Sequence, residues 1–363
     1  MGQQLFLLDL PKDILITLPD YLHDIEDYKN LTSTCRAFRA CLSSPSDKTI
    51  LRLAAAATNI FFRPSPHFLV TAVARQLGNW ARLSTSNEQV LAQAFQSGIE
   101  AVLDLALQHC SLSMERIRQL HKLRFSIINP VTNRIDQCIG EQWYATPNFW
   151  HGGVDDAYTI DADVPETFFY LAMYGEFFAP DADILLGTGN TDADRALSVE
   201  TRLEFVKYCI PDIDPLRRVY ATGPYIGFDK PKQGTNVSSN HIGLRHLLES
   251  SRWRPDWTLV RQSVGPDFGP DDSDDENEDD LDSLPWKQFL WSEIAVCQGL
   301  EGLGMMLNTD AGDFRVELYA LRDRIEALER EPERVVVGRN HTYRLPSLYR
   351  DLGICSSGYV GGT

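Results

Sequence analysis

Between Leu10 and Leu42, apolar residues recur at steps of three and four. Ile14, Leu15, Leu18 and Leu22 form one run, and Ile25, Tyr28, Leu31, Cys35, Phe38 and Leu42 form a second. Such spacing gathers each run on one face of a helix. Asp24, followed by Asp27, reads as an N-cap with a first-turn carboxylate that suits the helix dipole. Pro19 falls inside the first run, where it removes a backbone hydrogen bond and crowds the preceding turn, so a break or restart is expected near Leu18. Pro45 stops the second run. Lys48–Phe62 then predicts a third, alanine-rich helix ending at Pro64-Ser-Pro66.

Helical spacing continues over Phe68–Arg82, Asn87–Cys110 and Ser113–Ile128, and is expected to stop at Pro130 and in the Trp-, Gly- and Pro-rich stretch 141–155. Pro165 suits a first helical turn, and an aromatic helix is predicted from it to Phe178. A Gly/Thr/Asn/Asp loop at 187–194 precedes a helix over 198–209, whereas 211–243 carries too much Pro and Gly for an assignment. Leu244–Ser251 and Pro255–Ser263 read as short helices. Trp286–Leu307 and Phe314–Arg330 return to helical spacing. Phe314, Leu318, Leu321, Ile325 and Leu328 cover barely two heptads, which fits an amphipathic helix rather than a coiled coil. No internal repeat is visible. The expected fold class is mainly α, with a three-helix module at 8–62 followed by an irregular helical domain with long loops at 63–265. A helical segment at 285–363 is expected to pack on that domain.

Composition changes this picture in two places. The 363-residue chain is ordinary for a globular protein at 43% apolar and 23% charged residues, and is long enough for more than one folding unit. Its net charge of −17 is concentrated in Asp271–Asp282, where nine of twelve positions are carboxylates. That run cannot offset its ordering entropy, so 266–284 is expected to be a disordered linker or loop. The remainder is only moderately acidic and gives no reason to expect nucleic acid or an anionic membrane as partner. Seven scattered cysteines with no Cys-x-x-Cys spacing argue against a disulfide framework or a zinc site. The N-terminus lacks a basic region before its apolar residues, Asp9 and Asp13 interrupt any signal-like core, and Leu53–Phe62 is too short to span a membrane. The sequons at Asn30, Asn236 and Asn340 are therefore expected to be silent, and the chain to be intracellular, in the cytoplasm or nucleus.

A unit as short as 10–42 cannot enclose all of Leu10, Ile14, Leu15, Leu18, Leu22, Tyr28, Leu31 and Phe38, so part of that surface must dock on the rest of the chain or on a partner. The order Leu-Pro-x-Asp-Ile-Leu-x-x-Leu-x-x-Tyr-Leu, then Asp27-Tyr-x-x-Leu31, then Cys35-Arg-x-Phe-Arg resembles an F-box nearly position for position. That resemblance implies a three-helix module binding the Skp adaptor of SCF (Skp–cullin–F-box) ubiquitin ligases. Leu10 and Pro11 would make the leading contact. Ile14, Leu15 and Leu18, with Leu22, would supply the first helix's face, and Tyr28, Leu31, Cys35 and Phe38 the second's. Tyr28 stands where the family has Leu or Ile, which a partly wet edge would tolerate because the hydroxyl can reach water. The segments Phe62-Arg-Pro-Ser-Pro-His-Phe, Gln142-Trp-Tyr-Ala-Thr-Pro-Asn-Phe-Trp-His-Gly-Gly and Val206-Lys-Tyr-Cys-Ile-Pro-Asp are similar to those of filamentous-fungal F-box proteins with a long helical C-terminal region.

The resemblance implies a substrate-recognition subunit without catalytic residues, cofactor or metal. It would bind the Skp adaptor, through it cullin, and a protein substrate of unknown identity. The alternative is an F-box scaffold or regulator acting outside a ligase. Other chemistry is weaker. His151, Asp155, Asp156, Asp161 and Asp163 lack both the Gly and Glu of a calcium loop and the paired His of a zinc protease. Gly187-Thr-Gly189 lacks the third Gly of a phosphate turn and precedes Asp192 and Asp194, which would repel phosphate. Three further features could meet a partner or a modifying enzyme. Arg116, Arg118, Lys122 and Arg124, near His109 and His121, make one basic helix in an acidic chain. Trp253 and Trp257, flanked by Arg252 and Arg254, could form an aromatic patch or anchor the core. Ser273, before Asp-Asp-Glu, suits an acid-directed kinase.

Overall fold

A computed structural model describes residues 10–43, 45–56, 61–140, 162–187, 195–214, 219–225, 238–250, 253, 285–307, 312–337 and 340–356. Helix accounts for 74% of this structure, so the fold is mainly α. Helix α1 (Lys12–Thr17) runs into a 3-10 turn at Leu18–Tyr21 that opens with Pro19 in its first positions, where a missing N–H costs nothing. The restart read from Pro19 is therefore present. In α2 (Ile25–Thr34), Asp24 caps as expected, its Oδ1 accepting from the N–H groups of Glu26 and Asp27 at 2.9 Å each.

The expected single helix from Ile25 to Leu42 is not formed. Cys35 is extended (φ −153°, ψ 165°), and its Sγ accepts from the Phe38 N–H to start α3 (Arg36–Cys41). Just before this break, the hydroxyls of Thr32, Ser33 and Thr34 bond back to the carbonyls of Tyr28, Lys29 and Leu31. Such bonds compete with helix continuation. Helix α4 (Asp47–Ala56) closes the N-terminal unit.

The body is organised around α5 (His67–Arg82) and the long α10 (Val164–Leu185), which pack along each other. Phe168 through Tyr174 are all buried, and a helix apolar on every side belongs at the centre of a core. That packing carries α10 past the expected end at Phe178 and through Pro180. Around this pair lie α6 (Thr85–Gln96), α7 (Ile99–His109), α8 (Met114–Leu123) and α9 (Asn129–Ile139), and α11 (Val199–Cys209) packs on α6. The expected continuous helix Asn87–Cys110 breaks at Gly98 (φ 92°), a conformation that favours glycine. The expected stop at Pro130 does not occur. A π-helical turn at Arg124–Ile128 joins α8 to α9, and its wider ring leaves room for Pro130 in the first turn of α9.

A short antiparallel ribbon, β1 (Ile213–Asp214) with β2 (Val219–Tyr220), precedes α12 (Asn240–Glu249), which starts four residues before Leu244. The expected helix Trp286–Leu307 divides at Gly299 (φ 82°) into α13 (Trp286–Val296), α14 (Gly299–Gly302) and a 3-10 turn, followed by α15 (Gly312–Ala327). The C-terminal segment, expected to be helical, also contains a hairpin. Its Val-Val-Val run favours a strand, and β3 (Arg334–Val337) pairs with β4 (Asn340–Tyr343) before α16 (Leu348–Ser356).

Buried apolar residues from Leu15 to Cys355 form one cluster. Within it Arg202 of α11 holds the C-terminal elements. Its Nε donates to Asp351 Oδ2 at 2.5 Å, and its Nη atoms donate to the carbonyls of Tyr343 (2.8 Å) and Arg344 (2.9 Å). The hydroxyls of Tyr174 and Thr342 donate to the same carboxylate. Every polar atom in this knot has a partner, which burial demands.

Candidate functional site

The residues singled out at the N-terminus separate into three environments. Leu15, Tyr28 and Phe38 are turned inward and buried. Leu10, Leu18, Leu22, Leu31 and Cys35 are half-buried along the edge of the core, and Pro11 and Ile14 are exposed. Tyr28 does not sit at a wet edge. It is enclosed, its hydroxyl donates to the Leu42 carbonyl at 2.5 Å, and burial raises its pKa against the opposing charge of Arg118.

Pro11, Ile14 and Leu18 follow one another at steps of three and four along one side of α1 and its 3-10 extension. Ile14 is 49% exposed, and so are Ile16 at 47% and Tyr21 at 78%, neither of which belongs to the apolar run from Ile14 to Leu22. Both fall on positions that the periodicity assigns to solvent. Covering such side chains is worth about 1.5–3 kcal/mol each when complete.

This surface is tied to the body. Arg52 of α4 donates to the carbonyls of Pro19 (2.9 Å), Asp20 (3.2 Å) and Leu22 (3.2 Å), which saturates the end of the 3-10 turn. Thr49 Oγ1 donates to Asp20 Oδ1 at 2.8 Å. In the first turn of α4, Leu112 N–H donates to Asp47 O at 3.0 Å and Lys48 Nζ to Gln108 O at 3.5 Å. An apolar face held in this way loses little conformational entropy when a partner covers it.

Elsewhere the candidates serve mainly structural ends. Arg116 pairs with Glu301 at 2.5 Å, Arg118 with Glu115 at 3.0 Å, and Arg124 donates to the carbonyls of Phe61 and Arg63. Trp253 is buried. Asp163 caps α10 through Glu166 N–H at 2.9 Å, and Gly187 has φ 87° just after that helix. Outside the described residues lie His151, Asp155, Asp156, Asp161, Gly189, Asp192, Asp194, Arg252, Arg254, Trp257 and the acidic run with Ser273. Among the described residues no three His, Cys, Asp or Glu side chains group as a metal site. No described helix is long and apolar enough to cross a membrane.

A half-open cavity of about 190 Å³ beside α12 is lined by Asp212, His241, Ile242, Arg245, His246 and Glu249. His241 Nε2 lies 3.0 Å from Leu352 O and its Nδ1 3.3 Å from Asp212 Oδ2, while Arg245 pairs with Glu249 at 3.2 Å. None of these described lining residues carries a hydroxyl or a thiol. Two carboxyls are pushed up to about 7. Glu293 is raised by burial, despite donors from Ser347 and the Tyr349 N–H, and Glu166 is raised by burial and then by the charge of Asp163. Both belong to packed helix junctions rather than to an open cleft. The chain matches no protein-family model, no curated protein and no solved structure.

Proposed function

We propose that this chain is the substrate-recognition subunit of an SCF-type ubiquitin ligase. Its N-terminal unit would bind the Skp adaptor, and its helical body would hold a protein substrate. The observation that carries the reading is the exposed apolar line of Pro11 and Ile14, half-buried Leu10 and Leu18 beside it, at the leading positions of the F-box-like motif. The Arg52 clamp holds that line on α4. A partner's apolar surface would cover these side chains in a variant of helix-in-groove recognition. Leu15, Tyr28 and Phe38 act from beneath, fixing the faces that carry the contacts. The contribution to ubiquitin transfer is positional: holding a substrate lysine near the charged conjugating enzyme raises its effective concentration.

A pull-down with the full chain tests this. The wild type is expected to capture the Skp adaptor together with cullin, and Leu10→Ala with Pro11→Ala to lose both while its thermal melt stays unchanged. Adaptor capture without cullin would assign the chain to a scaffold or regulator acting outside a ligase. No capture by the wild type would refute the reading.

A further inference from the structure

The basic helix noted in the sequence ends in the π-helical turn at Arg124–Ile128, and this turn redirects its side chains. Ile128 is buried, and Ile127 packs so closely on the 3-10 turn that a Cβ on Gly304 would meet its Cδ1 at 2.7 Å. Phe125 is left 62% exposed. Single-turn π segments of this kind often occur at functional sites, because the extra residue shifts the register of whatever follows.

Phe125 does not stand alone. His121, one turn earlier and also exposed, meets it edge-on with ring centroids 5.2 Å apart. On its other side His121 stacks on Phe61, with centroids 5.4 Å apart and planes 19° from parallel. Lys122 and Arg124 follow His121 in the same stretch of helix. Lys122 is exposed, and the Arg124 guanidinium lies 5.8 Å from the Phe68 ring. Burial and the like charge of Arg63 push Arg124 below its ordinary pKa. Among the described residues neither Lys122 nor Arg124 takes part in an ion pair. In a chain of net charge −17, Lys122 and Arg124 thus lack a carboxylate partner among the described residues, Arg124 donating instead to the Phe61 and Arg63 carbonyls beside one stacked and one edge-on ring pair.

We propose that the surface of Phe61, His121, Lys122, Arg124 and Phe125 docks a short acidic peptide segment that carries an apolar side chain. The rings offer an apolar aromatic contact of the kind enriched at binding hot spots, and the cations select the flanking charge. Scale separates a peptide from an anionic bilayer. The field of this patch reaches only about 8–10 Å at ordinary ionic strength, enough for a peptide, whereas a bilayer would also meet the acidic remainder of the chain. Assigning the peptide to a ligase substrate rests on the function proposed above; the docking itself does not.

The test uses the full chain and two labelled pools of short peptides, one with Asp/Glu flanking a central Leu or Phe and one with Lys/Arg in place of the acids. Fluorescence anisotropy should show saturable binding of the acidic pool only. Phe125→Ala with Lys122→Glu should weaken it at least about tenfold, the scale of losing a hot-spot residue. Both side chains are exposed, so the urea melt should not move; if it does, Lys122→Glu alone carries the test. Equal binding of the two pools, or unchanged affinity in the variant, would overturn the proposal. Binding of phosphatidylserine vesicles without retention of either pool would overturn it in favour of a lipid surface. Adaptor capture should survive in the Phe125 variant, and peptide binding should survive in the Leu10/Pro11 variant, so failure of one reading is distinguishable from failure of the other.

Discussion

Glu293→Gln should stabilise the fold above neutrality and leave it unchanged in mild acid. The carboxyl belongs to α13, is fully enclosed, and accepts from Ser347 Oγ at 2.9 Å and from the Tyr349 N–H at 3.1 Å. Burial, with the charge of Asp351 adding to it, raises its pKa from 4.5 to about 7. The folded value lies above the unfolded one, so the fold favours the protonated form. That contribution is complete below pH 4.5 and is lost as pH rises through 7. The gap of about 2.5 pH units corresponds to about 3 kcal/mol at 1.36 kcal/mol each. Glutamine keeps an acceptor oxygen for both donors and carries no charge, so the variant lacks this dependence. Urea unfolding at about pH 5 and about pH 8.5 should show near-equal stabilities at the lower pH and a gain of about 2–3 kcal/mol at the higher. Glu166, also raised to about 7, remains in the variant, so part of the wild-type slope persists. A variant with the wild-type pH slope, or one less stable at both pH values, would refute the reasoning.

Two further substitutions probe how the helices are joined. Arg202→Met leaves Asp351 buried without its cation and the Tyr343 and Arg344 carbonyls without donors. It should cost about 3–5 kcal/mol in urea unfolding, partly restored when Asp351→Asn is added; a loss below about 1 kcal/mol would show the knot to be dispensable. Gly175→Ala places a Cβ 2.2 Å from Gly299 N and 2.7 Å from its Cα, both backbone atoms, so α10 and α14 must separate. A thermal melt should report a loss of about 1–3 kcal/mol or more, whereas Gly353→Ala, inside α16 with nothing within 4 Å, should stabilise by about 0.4–1 kcal/mol.

The helical class, the cap at Asp24 and the restart at Pro19 could all be read from local residues. Each depends on backbone chemistry within one turn, which is why the sequence alone determined them. The breaks at Cys35 and Gly98, the passage through Pro130 and Pro180 and the β3–β4 hairpin were not legible. There, periodicity continues or stops on paper while packing, side-chain bonds to the backbone or a π-turn decide. The candidate surface divides in the same way. The run from Leu10 to Phe38 announced more apolar area than a small unit can enclose. Only the tertiary structure decided that Leu15, Tyr28 and Phe38 go inside while Pro11, Ile14 and Tyr21 remain in contact with solvent. The physical reason is that helical periodicity specifies which side chains share a face. It says nothing of what covers that face, and the positions of α4, α7 and α8 around the unit are set by contacts between residues far apart in the chain.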